Sequence, residues 1–260
     1  MSATMLRALG TSPGGGVDTA VSYLHVTVVQ AGHRLLDDVT FEVSRGITVA
    51  LLGPPGAGKT TAIETGLGIR PLDGGTIRLL GQEPEAAIAS GRVGAVLPSL
   101  GLPSGARVGQ LLDFARVLHD APLPVDDLVD RAGLGSLMGR PTDRLSRSEA
   151  QQLMFALALA GDPDLLFLDE PAAHLDLQAR SALWRNLERL TGEGRTLLLA
   201  TRDPDVAASR ADHVIMLEGG RLGGEGDVEA TRARLADRGP ASHGSRPAPL
   251  DTRAGARGDP

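Results

Sequence analysis

Short apolar runs, glycine-centred turns and helical stripes succeed one another along this chain and divide it into elements. Between residues 21 and 43, β-branched and aromatic side chains recur in two runs, 23–29 and 39–43, split by the turn Ala31-Gly32-His33. That arrangement predicts antiparallel strands feeding into the next apolar run. The next run, Ile47-Thr48-Val49-Ala50-Leu51-Leu52, shows no alternation and reads as a strand buried on both faces. A helix-like run, Thr61-Ala62-Ile63-Glu64, comes soon after it. Residues 72–81 read as a turn and then a strand, and 93–97 as a short strand cut off by Pro98.

The period then changes. Val108, Leu111, Leu112, Ala115 and Leu118 fall at helical spacing, and Leu128, Val129 and Leu134 suggest a second, shorter helix. No strand signal separates them, so a helical insertion at about 99–150 is expected. An apolar helix over 153–160 and a buried strand over 165–168 follow. Ala179, Leu183, Leu187 and Leu190 mark one face of an amphipathic helix. Residues 196–200 read as a strand, and 214–217 with 219–222 as a closing hairpin. Trp184, the only tryptophan, sits beside Leu183 and reads as packing. Residues 1–20 and 231–260 lack periodicity, so a mobile lead-in and a disordered tail are expected around one domain at 21–230. The fold class this predicts is α/β: a mostly parallel core, an antiparallel β subdomain and an inserted α-helical subdomain.

Composition narrows the function. The 260 residues suffice for a sizeable core, and 42% hydrophobic with 22% charged is ordinary for a globular chain. A net charge of −6 without a basic stripe gives no reason to expect nucleic acid as a partner. There is no cysteine, so disulfides and thiolate metal sites are excluded. No run reaches the roughly 18 apolar residues of a membrane span, and no charged-then-apolar leader begins the chain. A membrane role would pass through a partner. His25 and His33 have no second ligand at metal spacing and read as surface or turn residues.

The chemistry begins where the strand at 47–52 ends. Gly53-Pro54-Pro55-Gly56-Ala57-Gly58-Lys59-Thr60 fits G-x-x-x-x-G-K-S/T, with a strand before it and a helix after it. Glycines let backbone N–H groups curl around a phosphate, and the helix N-terminus adds partial positive charge. Lys59 supplies a compact cation for the outer phosphates, and the Thr60 hydroxyl suits Mg²⁺. Lys59 is also the only lysine. A chain otherwise reliant on arginine keeps an ammonium where a planar guanidinium suits phosphate less well. Farther on, the buried run 165–168 ends in Asp169-Glu170. One carboxylate there can hold Mg²⁺ and the other can polarise an attacking water. Ser146 and Glu149 form an S-x-x-E capping box, which explains both residues structurally.

In this order, the motifs resemble those of an ATP-binding cassette (ABC) ATPase subunit, a P-loop NTPase with a RecA-like core, over about 21–227. Residues 53–60 are similar to Walker A, and 165–170 to Walker B with its catalytic glutamate. Residues 145–149 are similar to the LSGGQ signature, 172–176 to the D-loop, and Thr201-Arg202 to the switch-histidine position. Residues 35–41 and 71–81 also resemble family-typical stretches.

The resemblance implies a subunit at the inner face of the cell membrane, docked on an integral membrane transport subunit. It would pair with a second cassette, as a homodimer or a heterodimer, around ATP and Mg²⁺. The residues it implies for nucleotide are 53–60, Thr61, Ser146 and Asp176. It implies Thr60 and Asp169 for the metal, and Glu170 with Arg202 for catalysis. Cassettes of translation or DNA repair resemble it less, because they carry two cassettes or a long coiled-coil insertion.

Five departures accompany the resemblance. Pro98 stands where the Q-loop glutamine is expected, and Arg147-Ser148 replace the signature glycines. Arg202 replaces the histidine, His174 a small D-loop residue, and no adenine-stacking aromatic lies near Gln30. Two functions stay open on these residues: a transport ATPase, and a regulatory cassette that binds ATP with little hydrolysis.

Overall fold

The computed structural model describes residues 19–97 and 100–227. Strands β1 (Thr19–Gln30) and β2 (His33–Ser44) pair antiparallel across the Ala31-Gly32 turn. β3 (Thr48–Leu52) is buried at every position and leads through the glycine loop into α1 (Lys59–Gly66). β4 (Gly74–Leu79) returns to β1, completing an antiparallel sheet of order β2-β1-β4. Next come α2 (Pro84–Ala89) and β5 (Val93–Val96). Helices α3 (Val108–Val117), α4 (Val125–Ala132) and α5 (Arg147–Leu159) follow with no strand between them. The chain continues through β6 (Leu165–Asp169), α6 (Leu177–Gly192), β7 (Thr196–Thr201) and α7 (Pro204–Arg210). It ends with β8 (His213–Glu218) and β9 (Arg221–Asp227). The second sheet has the order β5-β6-β7-β3-β8-β9 and is parallel except for the β8–β9 hairpin.

The fold is thus the expected α/β core with an antiparallel sheet and a run of helices. Alternation along the central strands divides the core. Leu51, Phe167, Leu198 and Ile215 point into one cluster with α1 and the antiparallel sheet. Leu166, Leu168, Leu197 and Leu199 point the other way, into a cluster with α3–α6. A smaller cluster joins Ala50, Leu52, Val214 and Met216 to Ala207 of α7. Burial on both faces removes any reason for a polar alternation, which is why these strands read as continuous apolar runs.

Several details differ from expectation. β1 starts at Thr19, so the last two residues of the expected lead-in are strand, and β2 starts at His33 rather than at 39. Residues 1–18, Pro98 and the tail from 228 lie outside the described residues. Helices α2 and α7, of six and seven residues, were not expected, being too short to show a helical period; each begins with proline at its first turn. Leu118 lies at helical spacing with Leu111 and Ala115 yet is 67% exposed, together with Phe114 and Val117. Trp184 is buried, with the Arg210 guanidinium 5.3 Å from its ring centroid, as a packing role requires.

Candidate nucleotide site

The sheet order brings the chemistry together. β7 lies between β6 and β3, in a register that sets Leu52 beside Thr201 and Asp169 beside Ala200. The carboxyl ends of three adjacent parallel strands therefore deliver Gly53, Asp169-Glu170 and Arg202 to one edge of the sheet. Ligands of open α/β sheets bind at such edges.

Between Gly53 and Lys59 the backbone needs its glycines. A Cβ on Gly53 would lie 2.3 Å from the Leu217 carbonyl oxygen, and one on Gly58 would lie 2.9 Å from that of Leu35. Gly56 and Gly58 both take positive φ, 77° and 101°. Pro54, Pro55 and Gly56 form the exposed rim of the loop, and Ala57 is buried beneath it. The Ala57 N–H donates to the Pro54 carbonyl at 3.1 Å. Gly58 stands at the N-cap of α1 and offers no side chain to cap it, whereas Ser146, Asp176 and Asp203 cap their own helices. The free first-turn donors around Lys59, Thr60 and Thr61 fit a phosphate.

Lys59 is buried and folds back over this cradle. Its Nζ donates to the carbonyls of Gly53 at 2.7 Å and Pro54 at 3.0 Å. Burial pulls its pKa below the ordinary lysine value, against the attraction of Glu170 and Asp169; the Arg202 guanidinium adds to the lowering. Thr60 Oγ1 donates to Asp169 Oδ2 at 2.7 Å. Burial raises the Asp169 pKa, although Thr60 and Lys59 oppose the rise. A hydroxyl and a carboxylate in contact, both hard oxygen donors, fit Mg²⁺.

Glu170 has φ 46°, outside the range most side chains adopt, and its N–H donates to the Ala200 carbonyl at 3.0 Å. Its Oε1 accepts from the Arg202 backbone N–H at 3.0 Å. Burial pushes its pKa up while Arg202 and Lys59 act to lower it. A carboxylate held at one oxygen, with a raised pKa, has the form of a general base. The strained backbone at its Cα accords with a functional position.

Ser146 and Asp176 stand apart from this cluster. Ser146 Oγ accepts from the Glu149 N–H at 3.2 Å while Glu149 Oε2 accepts from the Ser146 N–H at 2.8 Å, the expected capping box. Asp176 Oδ1 accepts from the Ala179 N–H at 2.8 Å. Arg147 and Ser148 occupy the first turn of α5, where ordinary helical backbone tolerates side chains in place of glycine. His174 takes φ 67° in the loop ahead of α6. Near Gln30, Arg70 donates to Gln30 Oε1 at 3.0 Å and pairs with Glu64 at 2.8 Å, filling that corner with polar contacts. Gln151 was missed from the sequence. It is buried in α5, and its Nε2 donates to the Pro171 carbonyl at 3.2 Å, tying the signature-like helix to the loop after Glu170. Five of the first six residues of α5 are polar or charged, so no sequence signal set Gln151 apart.

The fold and this cluster define a P-loop nucleotide-binding protein. The family model described as "ABC transporter" matches residues 36–173, more than half the chain. The chain belongs to the ABC transporter family, as an ATP-binding member. It is 36% identical over 221 residues to "Nod factor export ATP-binding protein I" of Sinorhizobium fredii, covering 82% of this chain and 64% of that protein. The same-named protein of Paraburkholderia xenovorans is also 36% identical, with 82% and 72% covered. "Ribose import ATP-binding protein RbsA 2" of Rubrobacter xylanophilus is 32% identical, with 76% and 42% covered. The chain thus spans between 42% and 72% of these relatives' length. A solved "Structure of ATP binding subunit of ABC transporter" superposes with a TM-score of 0.76 at 25% identity, covering 85% of this chain and 95% of that one.

Proposed function

We propose that this chain is the ATP-binding subunit of an ABC transporter, binding and hydrolysing Mg-ATP beside a separate membrane subunit. The observation that carries it is the Thr60–Asp169 contact beside the glycine cradle of Lys59. In this reading the loop 53–60 and Thr61 bind the phosphates through backbone donors, and Lys59 leaves the Gly53 and Pro54 carbonyls to neutralise the outer ones. Thr60 and Asp169 would hold Mg²⁺, which when bound supplies charge neutralisation for the leaving diphosphate. Glu170, fixed at Oε1, uses its other oxygen to take a proton from the attacking water. Arg202 adds a permanent positive charge near Glu170 and Lys59. Ser146 and Asp176 serve a second cassette across a dimer. Among the described residues no helix is long and apolar enough to cross a membrane. The exposed apolar side chains Phe114 and Val117 on α3, with Leu118 just after it, support contact with a partner; in this reading the chain sits at the cytoplasmic face.

A second reading, a regulatory cassette of slow turnover, is supported by Arg202 at the switch position and by the side chains of Arg147 and Ser148. The test common to both is Lys59→Ala, titrated with a fluorescent ATP analogue. A loss of about 10-fold or more is expected when charge-assisted contacts go. Unchanged affinity would remove the phosphate-loop assignment.

A further inference from the structure

The phosphate loop is seated on a clasp formed by β2 and the β8–β9 turn. On β2, Leu36 pairs with Val28 and Val39 with Val26, so Asp37 and Asp38 together oppose the single residue Thr27. This is a β-bulge, and Asp38 takes φ 57° to accommodate it. The bulge frees the Asp37 N–H from the β1 ladder. It donates instead to the Gly220 carbonyl at 2.8 Å, in the turn between β8 and β9. The Gly220 N–H in turn donates to the carbonyl of Ala57 at 3.1 Å, inside the phosphate loop.

The contact is too close for anything but glycine at Gly220. Its φ is 80°, and a Cβ there would lie 2.6 Å from the Leu35 carbonyl oxygen, the same oxygen that leaves no room for a Cβ on Gly58. Strand, turn and loop therefore form one hydrogen-bonded stack. The Asp37 side chain locks it: Oδ1 accepts from Arg34 on the same strand, and Oδ2 pairs with Arg221, the residue after Gly220. The Asp37 carboxylate is 9% exposed, with both arginines reaching it from solvent. The Arg34 hydrogen bond, helped by Arg221, holds its pKa below the ordinary value, so it stays ionised at neutral pH.

We propose that Asp37 is a positioning residue for the phosphate loop, acting through Arg221 and Gly220 on Ala57. It touches no nucleotide. Its carboxylate holds the β8–β9 turn in register with the bulge, and that register sets the height of Ala57, hence where the neighbouring N–H groups meet phosphate. This rests on the nucleotide reading of the site.

The test is nucleotide affinity of the full chain, with thermal midpoints measured in parallel. Asp37→Asn and Arg221→Gln are each expected to weaken binding of a fluorescent ATP analogue about 5-fold, and the double variant no further than either single one, because they break one link. Asp38→Asn is the control for a general loss of strand stability. Asp38 sits in the same bulge but pairs outward with His25 at 2.7 Å, and its variant should bind as the parent does. Additive losses, or an equal loss in Asp38→Asn, would overturn the proposal. If Asp37→Asn does not fold, Arg221→Gln decides alone, and parental affinity there overturns the clasp. A parent chain that binds no nucleotide overturns the site itself and the clasp with it. Binding lost in Lys59→Ala but intact in Arg221→Gln overturns only the clasp.

Discussion

The backbone N–H of Arg202 holds Glu170 Oε1 at 3.0 Å, so this carboxylate is placed by the main chain just after β7 and not by the Arg202 side chain. Substitution at Arg202 can therefore exchange the charge above the site while leaving Glu170 in position. Arg202→His tests whether the permanent guanidinium limits turnover. It is expected to raise the ATPase rate of the assembled complex with nucleotide affinity unchanged. A flat or lower rate would assign the guanidinium a role of its own.

Asp169 is a buried acid whose pKa is raised, with burial the leading cause. The folded chain therefore binds the proton more tightly than the unfolded chain. Its ionisation subtracts stability as pH rises from the ordinary carboxylate value through the raised one. Asp169→Asn keeps an acceptor for Thr60 and removes the buried charge. In metal-free buffer at neutral pH its thermal midpoint is expected to exceed the parent's by about 2–4 °C, what ~1 kcal/mol gives for a chain this size. The gap should close as pH falls to the ordinary Asp range, and Mg²⁺-dependent nucleotide binding should be lost. A variant less stable than the parent at neutral pH would contradict this balance.

Tyr23 links the antiparallel sheet to the phosphate-loop helix. Its buried hydroxyl donates to the Ala62 carbonyl at 2.7 Å, and its ring stacks on Phe41 at 4.5 Å between centroids. Tyr23→Phe removes the hydrogen bond and keeps the stack, so chemical denaturation should show a loss of about 1 kcal/mol. Loss of 3 kcal/mol or more would mean that the hydroxyl organises more than this contact.

A homodimer would combine Arg202 on the Walker side and Arg147-Ser148 on the signature side at both sites. Removing one preorganised donor to developing charge costs about 2.7–4 kcal/mol, roughly 10²–10³ in rate. Two departures at each site leave little turnover, though such effects are seldom additive. The lone chain is therefore expected to hydrolyse ATP slowly and to speed up with a second, different cassette that divides the departures between two sites. Rates and stoichiometry of the chain alone and with candidate cassettes test this. Brisk hydrolysis by the lone chain as a homodimer would sink it.

Residues that answer to local physics could be read from the sequence. Gly53 to Thr60 demand a strand before and a helix after, and β3 and α1 are there. The run 165–168 is apolar throughout because β6 is buried on both faces, and Ser146 with Glu149 cap the helix that follows them. Residues answering to distant partners could not be read this way. That β7 lies between β3 and β6, bringing Glu170 and Arg202 to the phosphate loop, depends on a β3–β7 pairing across more than a hundred residues, which leaves no periodic trace. Leu118 has helical spacing with Leu111 and Ala115, but α3 ends at Val117, and only its packing against α5 decides that Leu118 is left uncovered. Asp37 falls in the family-like stretch 35–41, yet nothing in that stretch gives it a partner. Its place under the phosphate loop comes from a bulge in β2 meeting a hairpin turn nearly two hundred residues later. Apolar period and turn chemistry act over a few residues and are written along the chain, whereas sheet order and the contacts between sheets exist only once the strands have paired.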